Sequence, residues 1–271
     1  MTDLNVYFIS LEKSRERRFL AKDAGLNEKW VDDYFKAFDL TASSVNNFDF
    51  VKKSLDLDFF SVNYGRHISP PELGCSISHL SVCKEILDKK NLLSVVFEDD
   101  VIPVPNYQHA LSLLLSQLSA LDPVNNAFIC HLGVPSHWLK KLVLRDVVSF
   151  TYGSVRMNSF QRLCEGQQLW WAHAYVISYA AAERIYHAES NRPVLADDWG
   201  LRREERLVDS IYVSPAALFV QRDGLESTVQ NLAVQNTKDS TTQSFVDLFR
   251  ARLLAIKKTM FRFIPYFEMN R

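Results

Sequence analysis

LLSVVFEDDV, Leu92–Val101, decides how this chain is read. Its leucine, valine and phenylalanine content is that of a strand buried in an α/β sheet. The apolar run then stops at three carboxylates, Glu98, Asp99 and Asp100. Three such groups repel one another and resist leaving water, so the strand end needs a positive partner: an arginine, a lysine or a metal ion. Alternate strand residues share a face, which puts Glu98 and Asp100 on one side and Asp99 on the other. Ligands of open α/β sheets collect beyond the carboxyl ends of strands, where this triplet falls. Two carboxylates on one side suit a hard divalent cation, Mg²⁺ or Mn²⁺, of the kind that bridges phosphate oxygens. A solvated strand end capped by nearby Arg or Lys satisfies the same charges.

Around this strand the pattern alternates between helix and strand. Before it, SPPELGCSISHLSVCKEILDKKN predicts a long helix opened by two prolines, with apolar positions Ile77, Leu80, Cys83, Ile86 and Leu87. NVYFISL near the N-terminus reads as a first buried strand. EKSRERRFLAKDAGL after it reads as a charged helix, with Phe19, Leu20 and Ala24 on its apolar side and Gly25 as its stop. HALSLLLSQLSAL predicts another helix, AFICHLG a short strand, FTYGSVRM an edge strand, and Ala174–Ile177 a strand leading into an alanine-rich helix. This rhythm predicts an α/β domain with a mixed, mostly parallel central sheet. A polar run, Gln230–Gln243, suggests a division into a domain over 1–235 and a linker with a C-terminal helical segment over 236–271.

Bulk properties narrow the function. The chain has 271 residues, is 47% hydrophobic and carries a formal net charge of −1, so no global field attracts nucleic acid. Four cysteines without a CxxC pair argue for reduced thiols over a zinc or disulfide framework. The N-terminus lacks the pattern of a signal peptide, and there is no apolar run of membrane-spanning length, so a soluble, cytoplasmic protein is expected. With eight glycines and no P-loop, GxGxxG or GxSxG, the chain does not read as a kinase, dehydrogenase or serine hydrolase.

A second carboxylate pair, Asp197 and Asp198, precedes Trp199. An aromatic beside acids can hold a sugar face, and one of the acids can serve as a general base toward an alcohol. A turn with aspartate capping the following helix explains the same residues. His79 and His173, inside structured segments, are read either as ligands or as hydrogen-bonded structural residues.

The blocks VYFISLEKSRERR, PELGCSISHLSVCKEIL, VVFEDDV, HAYVIS, ADDW and SPAALFVQ…ST, in this order, resemble glycosyltransferase family 25. The resemblance implies a GT-A-like fold, a nucleotide-sugar donor (UDP-galactose foremost), a divalent cation and inversion at the anomeric carbon. Asp100 is then the metal ligand, with Glu98 as a second. Donor contacts fall on Ser10, Leu11, Arg15, Arg18, Glu72, His79, Glu98, Asp99, His173, Trp199 and Gln221, and the catalytic base on Asp198 or Asp197. This chain has Ser10 where the family usually has asparagine, and Pro71 where glycine commonly precedes the glutamate.

The segment Phe245–Arg271 mixes large apolar residues with Arg250, Arg252, Lys257, Lys258, Arg262 and Arg271. It reads as a basic amphipathic helix on an anionic membrane surface, or as a terminal helix docked on the domain. The resemblance together with these features implies an inverting hexosyltransferase, a β-galactosyltransferase acting on a lipid-linked lipooligosaccharide or lipopolysaccharide acceptor, with peripheral contact to the inner membrane. Use of UDP-glucose or a UDP-N-acetylhexosamine, or a carbohydrate-binding assembly protein without turnover, are the competing readings.

Overall fold

The structure, a computed structural model, describes residues 4–40, 55–135, 139–152 and 155–222. The expected boundary at 235 and the basic segment beyond it lie outside these residues. The chain divides into two compact units, Met1–Asp56 with Pro70–Leu225, and Leu57–Ser69 with Glu226–Arg271.

The first unit opens with strand β1 (Val6–Ser10), helix α1 (Arg15–Asp23), helix α2 (Glu28–Asp32) and the short strand β2 (Phe35–Lys36). Helix α3 (Leu57–Tyr64) belongs to the second unit, where the Phe60 and Tyr64 rings pack 4.3 Å apart. The first unit resumes with α4 (Pro70–Lys89), β3 (Leu93–Glu98), β4 (Val101–Pro103), α5 (Tyr107–Ser119) and β5 (Phe128–His131). Then come β6 (Leu144–Tyr152), β7 (Val155–Leu163), β8 (Ala174–Ser178), α6 (Tyr179–Glu189), α7 (Trp199–Glu204), β9 (Ser210–Val213) and β10 (Phe219–Gln221).

Eight strands form one mixed sheet in the order β2-β1-β3-β8-β5-β9-β7-β6, and β4 pairs with β10 in a separate two-stranded ribbon. Parallel pairing joins β1 to β2 and to β3, and β5 to β9. Between these blocks β8 inserts antiparallel to both β3 and β5. All five residues of β8, AYVIS, are buried, because helices cover both faces of the sheet centre.

Strand alternation sorts the core into two layers. Tyr7, Ile9, Val96, Tyr175 and Ile177 pack with Val82 and Ile86 of α4 and with Ile185 of α6. Phe8, Val95, Phe97, Ala174 and Val176 pack on the opposite face with Leu111, Leu114 and Leu118 of α5 and with Ala21 of α1. Glu98 follows Phe97 and so shares the face of Val96, toward α4.

Two helices depart from their expected patterns. On α1 the buried residue is Ala21, while Phe19 is 67% exposed. Residues two apart on a helix point nearly opposite ways, so burying Ala21 turns Phe19 outward and aligns Arg17 with the sheet. On α4 the buried set includes Glu72, Ser76, Ser78 and His79. An interior helix face with that many polar groups indicates that it borders something other than plain core.

Candidate functional site

The site forms where β3 ends. Strand geometry stops at Glu98, and Asp99–Asp100 make the turn into β4. That turn is pinned on both sides: the Glu98 amide donates to the His173 carbonyl at 3.0 Å, and the Arg222 amide donates to the Asp100 carbonyl at 2.8 Å. The three acids thus straddle a strand end and a turn.

Asp99 turns back toward β1. Its carboxylate accepts from the Ser10 hydroxyl at 2.8 Å and from Arg17 at 2.9 Å. Burial raises the Asp99 carboxyl, and these two partners offset only part of that rise. Arg17 was not among the expected donor contacts, yet it meets the triplet. The signal was its spacing of four residues from Ala21, which places both on the sheet-facing side of α1. Arg18 instead donates to the Ser10 hydroxyl and to the Leu11 carbonyl, and stacks on Tyr34 at 4.1 Å. Arg15, Arg18 and Lys22 line a groove of about 240 Å³ with Phe19 and Tyr34.

Glu98 faces α4. Its Oε1 lies 3.1 Å from His79 Nε2, and His79 Nδ1 lies 2.8 Å from the Tyr175 hydroxyl. Burial pushes Glu98 up, but the His79 bond, the nearby His173 and Arg17 together hold it below the ordinary carboxylate range. Cys75, one helical turn before His79, completes a cluster with these two: the ligand atoms of Cys75, His79 and Glu98 lie within 4.8 Å of one another.

Asp100 is the strained member. Gln221 donates to its Oδ2 at 2.9 Å, while its Oδ1 is buried with no hydrogen-bond partner. Burial and the Glu98 charge are the largest causes that push the Asp100 carboxyl up to about 7. A buried carboxylate oxygen without a donor, facing a second carboxylate, is the environment a hard cation relieves, and both residues offer oxygen ligands. A proton competes for the same place. Mn²⁺ affinity should therefore rise by roughly tenfold per pH unit below about 7 and level off above it, as calorimetry at stepped pH would show.

The second acidic pair separates into two roles. Asp198 caps α7, accepting from the Leu201 amide at 2.9 Å, and is 6% exposed. Asp197 is half-buried, and burial followed by the Glu98 charge raises its carboxyl. Asp197 thus feels the charge of Glu98. Trp199 is 1% exposed, with its indole N–H donating to the Trp171 carbonyl, so its ring is core and offers no open face to a sugar.

Beneath this pair lies an ion pair that sequence reading missed. Arg202 makes a bidentate contact with Glu189 at 2.8 and 2.9 Å, donates to the Ala196 carbonyl at 2.6 Å and sits 4.8 Å from the Trp199 ring. Both partners are buried. Glu189→Leu would leave the guanidinium uncompensated. It should reduce stability by about 3–5 kcal/mol in urea denaturation.

Two histidines complete the surroundings. His173 is buried against the backbone of Gly133 and Phe219, and burial lowers its pKa despite the Glu98 charge. At Gly133 a Cβ would lie 2.2 Å from His173 Nε2, so only glycine lets the ring sit there. His131 is lowered to about 3, by burial and then by His173. Glu72 is buried in the first turn of α4. The structure therefore brings together Glu98, Asp99, Asp100, His79, His173, Ser10 and Gln221, with Asp197 under the influence of the Glu98 charge; Asp198 is a helix cap, Trp199 is core and Arg15 lines the groove on α1.

A mixed α/β sheet with an acidic turn at the end of a central strand and basic residues beside it can hold a cation or a phosphate group beyond the strand ends. The sequence profile of Glycosyltransferase family 25 (LPS biosynthesis protein) matches residues 3–199, and the chain belongs to this family. Among curated relatives, it is 25% identical over 206 residues to a procollagen lysyl hydroxylase and glycosyltransferase of Acanthamoeba polyphaga mimivirus, covering 71% of this chain and 20% of the relative. It is 26% identical over 123 residues to procollagen galactosyltransferase 2 of Homo sapiens, covering 45% of this chain and 18% of the relative. To procollagen galactosyltransferase 1 of Danio rerio it is 25% identical over 137 residues, covering 50% and 20%. The matched region spans about one fifth of each relative's length. Among the described residues, no helix is long and apolar enough to cross a membrane.

Proposed function

We propose that this glycosyltransferase moves galactose from UDP-galactose to a glycan hydroxyl with inversion at the anomeric carbon. The observation that carries this reading is the buried, unpartnered Asp100 oxygen, with Asp100 and Asp197 both raised by the Glu98 charge. Asp100 and Glu98 are the residues that would hold a divalent cation, Mn²⁺ or Mg²⁺. Such a cation, when bound, neutralises charge on the departing nucleoside diphosphate.

The chain's own residues do the rest. Ser10 and Arg17 hold Asp99, which fixes the turn that presents Asp100. His79, braced by the Tyr175 hydroxyl, orients Glu98. Asp197, raised by burial and by Glu98, takes the proton from the acceptor hydroxyl as it attacks the face opposite the leaving group. Gln221 steadies the other oxygen of Asp100.

For the acceptor we favour a lipid-linked oligosaccharide of the lipopolysaccharide type, in line with the family's description. The basic residues between Phe245 and Arg271 support peripheral attachment at the cytoplasmic face of the inner membrane. Removal of residues 245–271 should then abolish sedimentation with anionic vesicles, and unchanged sedimentation would contradict attachment through this segment. The transfer itself is tested with Mn²⁺, a lipooligosaccharide core and UDP-galactose. NMR of the product should show a β-linked galactose. An α-linked product would overturn inversion. Faster transfer from UDP-glucose or UDP-N-acetylglucosamine would reassign the donor. Donor binding with no turnover would favour a carbohydrate-binding assembly protein.

A further inference from the structure

The cluster of Cys75, His79 and Glu98 has a donor set unlike that of the acidic turn. It offers one thiol, one imidazole and one carboxylate, with ligand atoms within 4.8 Å of one another. Oxygen-only sets suit Mg²⁺ and Mn²⁺, whereas a thiolate with an imidazole selects softer ions, zinc foremost. We propose that Cys75, His79 and Glu98 form a second cation site, specific for zinc or a similarly soft ion, whose occupation inhibits the enzyme by taking Glu98 away from Asp100. The binding half of this inference stands on the cluster alone; the inhibitory half rests on the proposed role of Glu98 beside Asp100.

The geometry suits tetrahedral zinc. With Zn–N and Zn–O bonds of about 2.0–2.2 Å and Zn–S of about 2.3 Å, neighbouring ligand atoms sit roughly 3.3–3.7 Å apart. His79 Nε2 and Glu98 Oε1, at 3.1 Å, are already close to that separation. Cys75 precedes His79 by one helical turn on α4, so both side chains leave the helix on the same side, and a change of the Cys75 rotamer closes the remaining gap. His79 is held from behind: its Nδ1 lies 2.8 Å from the Tyr175 hydroxyl, and Tyr175 is 1% exposed. An outer partner on the far nitrogen of this kind fixes the ring of a metal-binding histidine. The Glu98 side chain is 26% exposed, which leaves a route for the ion and a fourth position for water. On binding, Cys75 enters as thiolate and its proton passes to solvent, while the His79–Glu98 hydrogen bond is replaced by two bonds to the ion.

The inhibition follows from sharing. Glu98 cannot serve a zinc ion on the α4 side and the cation beside Asp100 equally, and the turn that carries both acids is pinned by the His173 and Arg222 backbone contacts.

The test uses the full chain and Co²⁺ as a spectroscopic substitute for zinc. Addition of Co²⁺ should produce the near-ultraviolet thiolate-to-cobalt charge-transfer band, and Zn²⁺ should bleach it. The band should be lost in Cys75→Ser and His79→Gln and kept in Cys164→Ser, with circular dichroism confirming that each variant folds. No band in the unaltered chain, or a band that survives Cys75→Ser, overturns the site. Where a variant fails to fold, protection of Cys75 from iodoacetamide by Zn²⁺, read by peptide mass, decides instead: no protection overturns the site. For the regulatory half, micromolar Zn²⁺ should inhibit Mn²⁺-supported transfer at least tenfold more strongly in the unaltered chain than in Cys75→Ser, each measured against its own uninhibited rate. Equal inhibition with an intact cobalt band would leave the site standing and overturn its regulatory role. Failure of transfer from every donor would bear on the proposed function and leave the cobalt result intact.

Discussion

Asp100→Asn is expected to lower kcat/KM by about 10³-fold or more while making the metal-free protein more stable. The two effects have one cause. Asp100 is a half-buried carboxylate with one buried, unpartnered oxygen, and burial with the Glu98 charge raises its carboxyl to about 7. It binds its proton more tightly folded than unfolded. Between the ordinary carboxylate range and about 7 the folded state therefore carries more protons, and metal-free stability falls as pH rises through that window. Asparagine keeps the shape and the Gln221 contact but cannot ionise, so that pH-dependent loss should disappear. It also offers a cation far less, so donor binding should lose its metal dependence. Thermal melts with EDTA at pH 5 and pH 8, beside steady-state rates with Mn²⁺, measure both. A variant that loses activity and stability together would indicate that Asp100 is a structural residue.

Asp197 and Asp198 should respond oppositely to replacement. Asp197→Asn removes the group that would accept the hydroxyl proton, and kcat is expected to fall by about 10²–10⁴-fold with donor affinity little changed. Asp198→Ala removes the cap of α7, where its Oδ1 accepts from the Leu201 amide. That change should cost about 1 kcal/mol of stability and leave kcat within a few-fold. Rates and denaturant midpoints for both variants separate the roles. Retention of full kcat by Asp197→Asn would remove it as the base.

Much of this arrangement was legible in the sequence, because the strongest signals were local. The apolar run of β3, the paired prolines at the start of α4 and the alanine-rich stretch of α6 each specify an element without reference to the rest of the fold. The acidic triplet at a strand end was legible as a site for the same reason, since three clustered carboxylates at the end of a buried strand require an answer wherever the chain goes.

What was not legible depends on which way an element faces. Nothing local distinguishes Arg17 from Arg15 and Arg18 in SRERR; the burial of Ala21 decides it. Trp199 next to two acids suggested a sugar platform, but α7 turns it inward against Tyr175 and His131. The buried pair Glu189–Arg202 joins residues from two helices, and the close approach of His173 to Gly133 joins two strands' ends. Such long-range pairings follow from topology. Asp99 turns to Ser10 and Arg17 while Asp100 feels the Glu98 charge, as expected from alternation, although the strand itself ends at Glu98.

The most direct test of the central claim, that the FEDD turn holds a cation which holds a diphosphate, is calorimetric titration of UDP-galactose into the protein with Mn²⁺ and with EDTA. The account predicts binding with Mn²⁺ that weakens by at least tenfold in EDTA, and an Asp100→Asn protein that binds equally weakly in both. Equal affinity of the unaltered protein with and without the metal would contradict it.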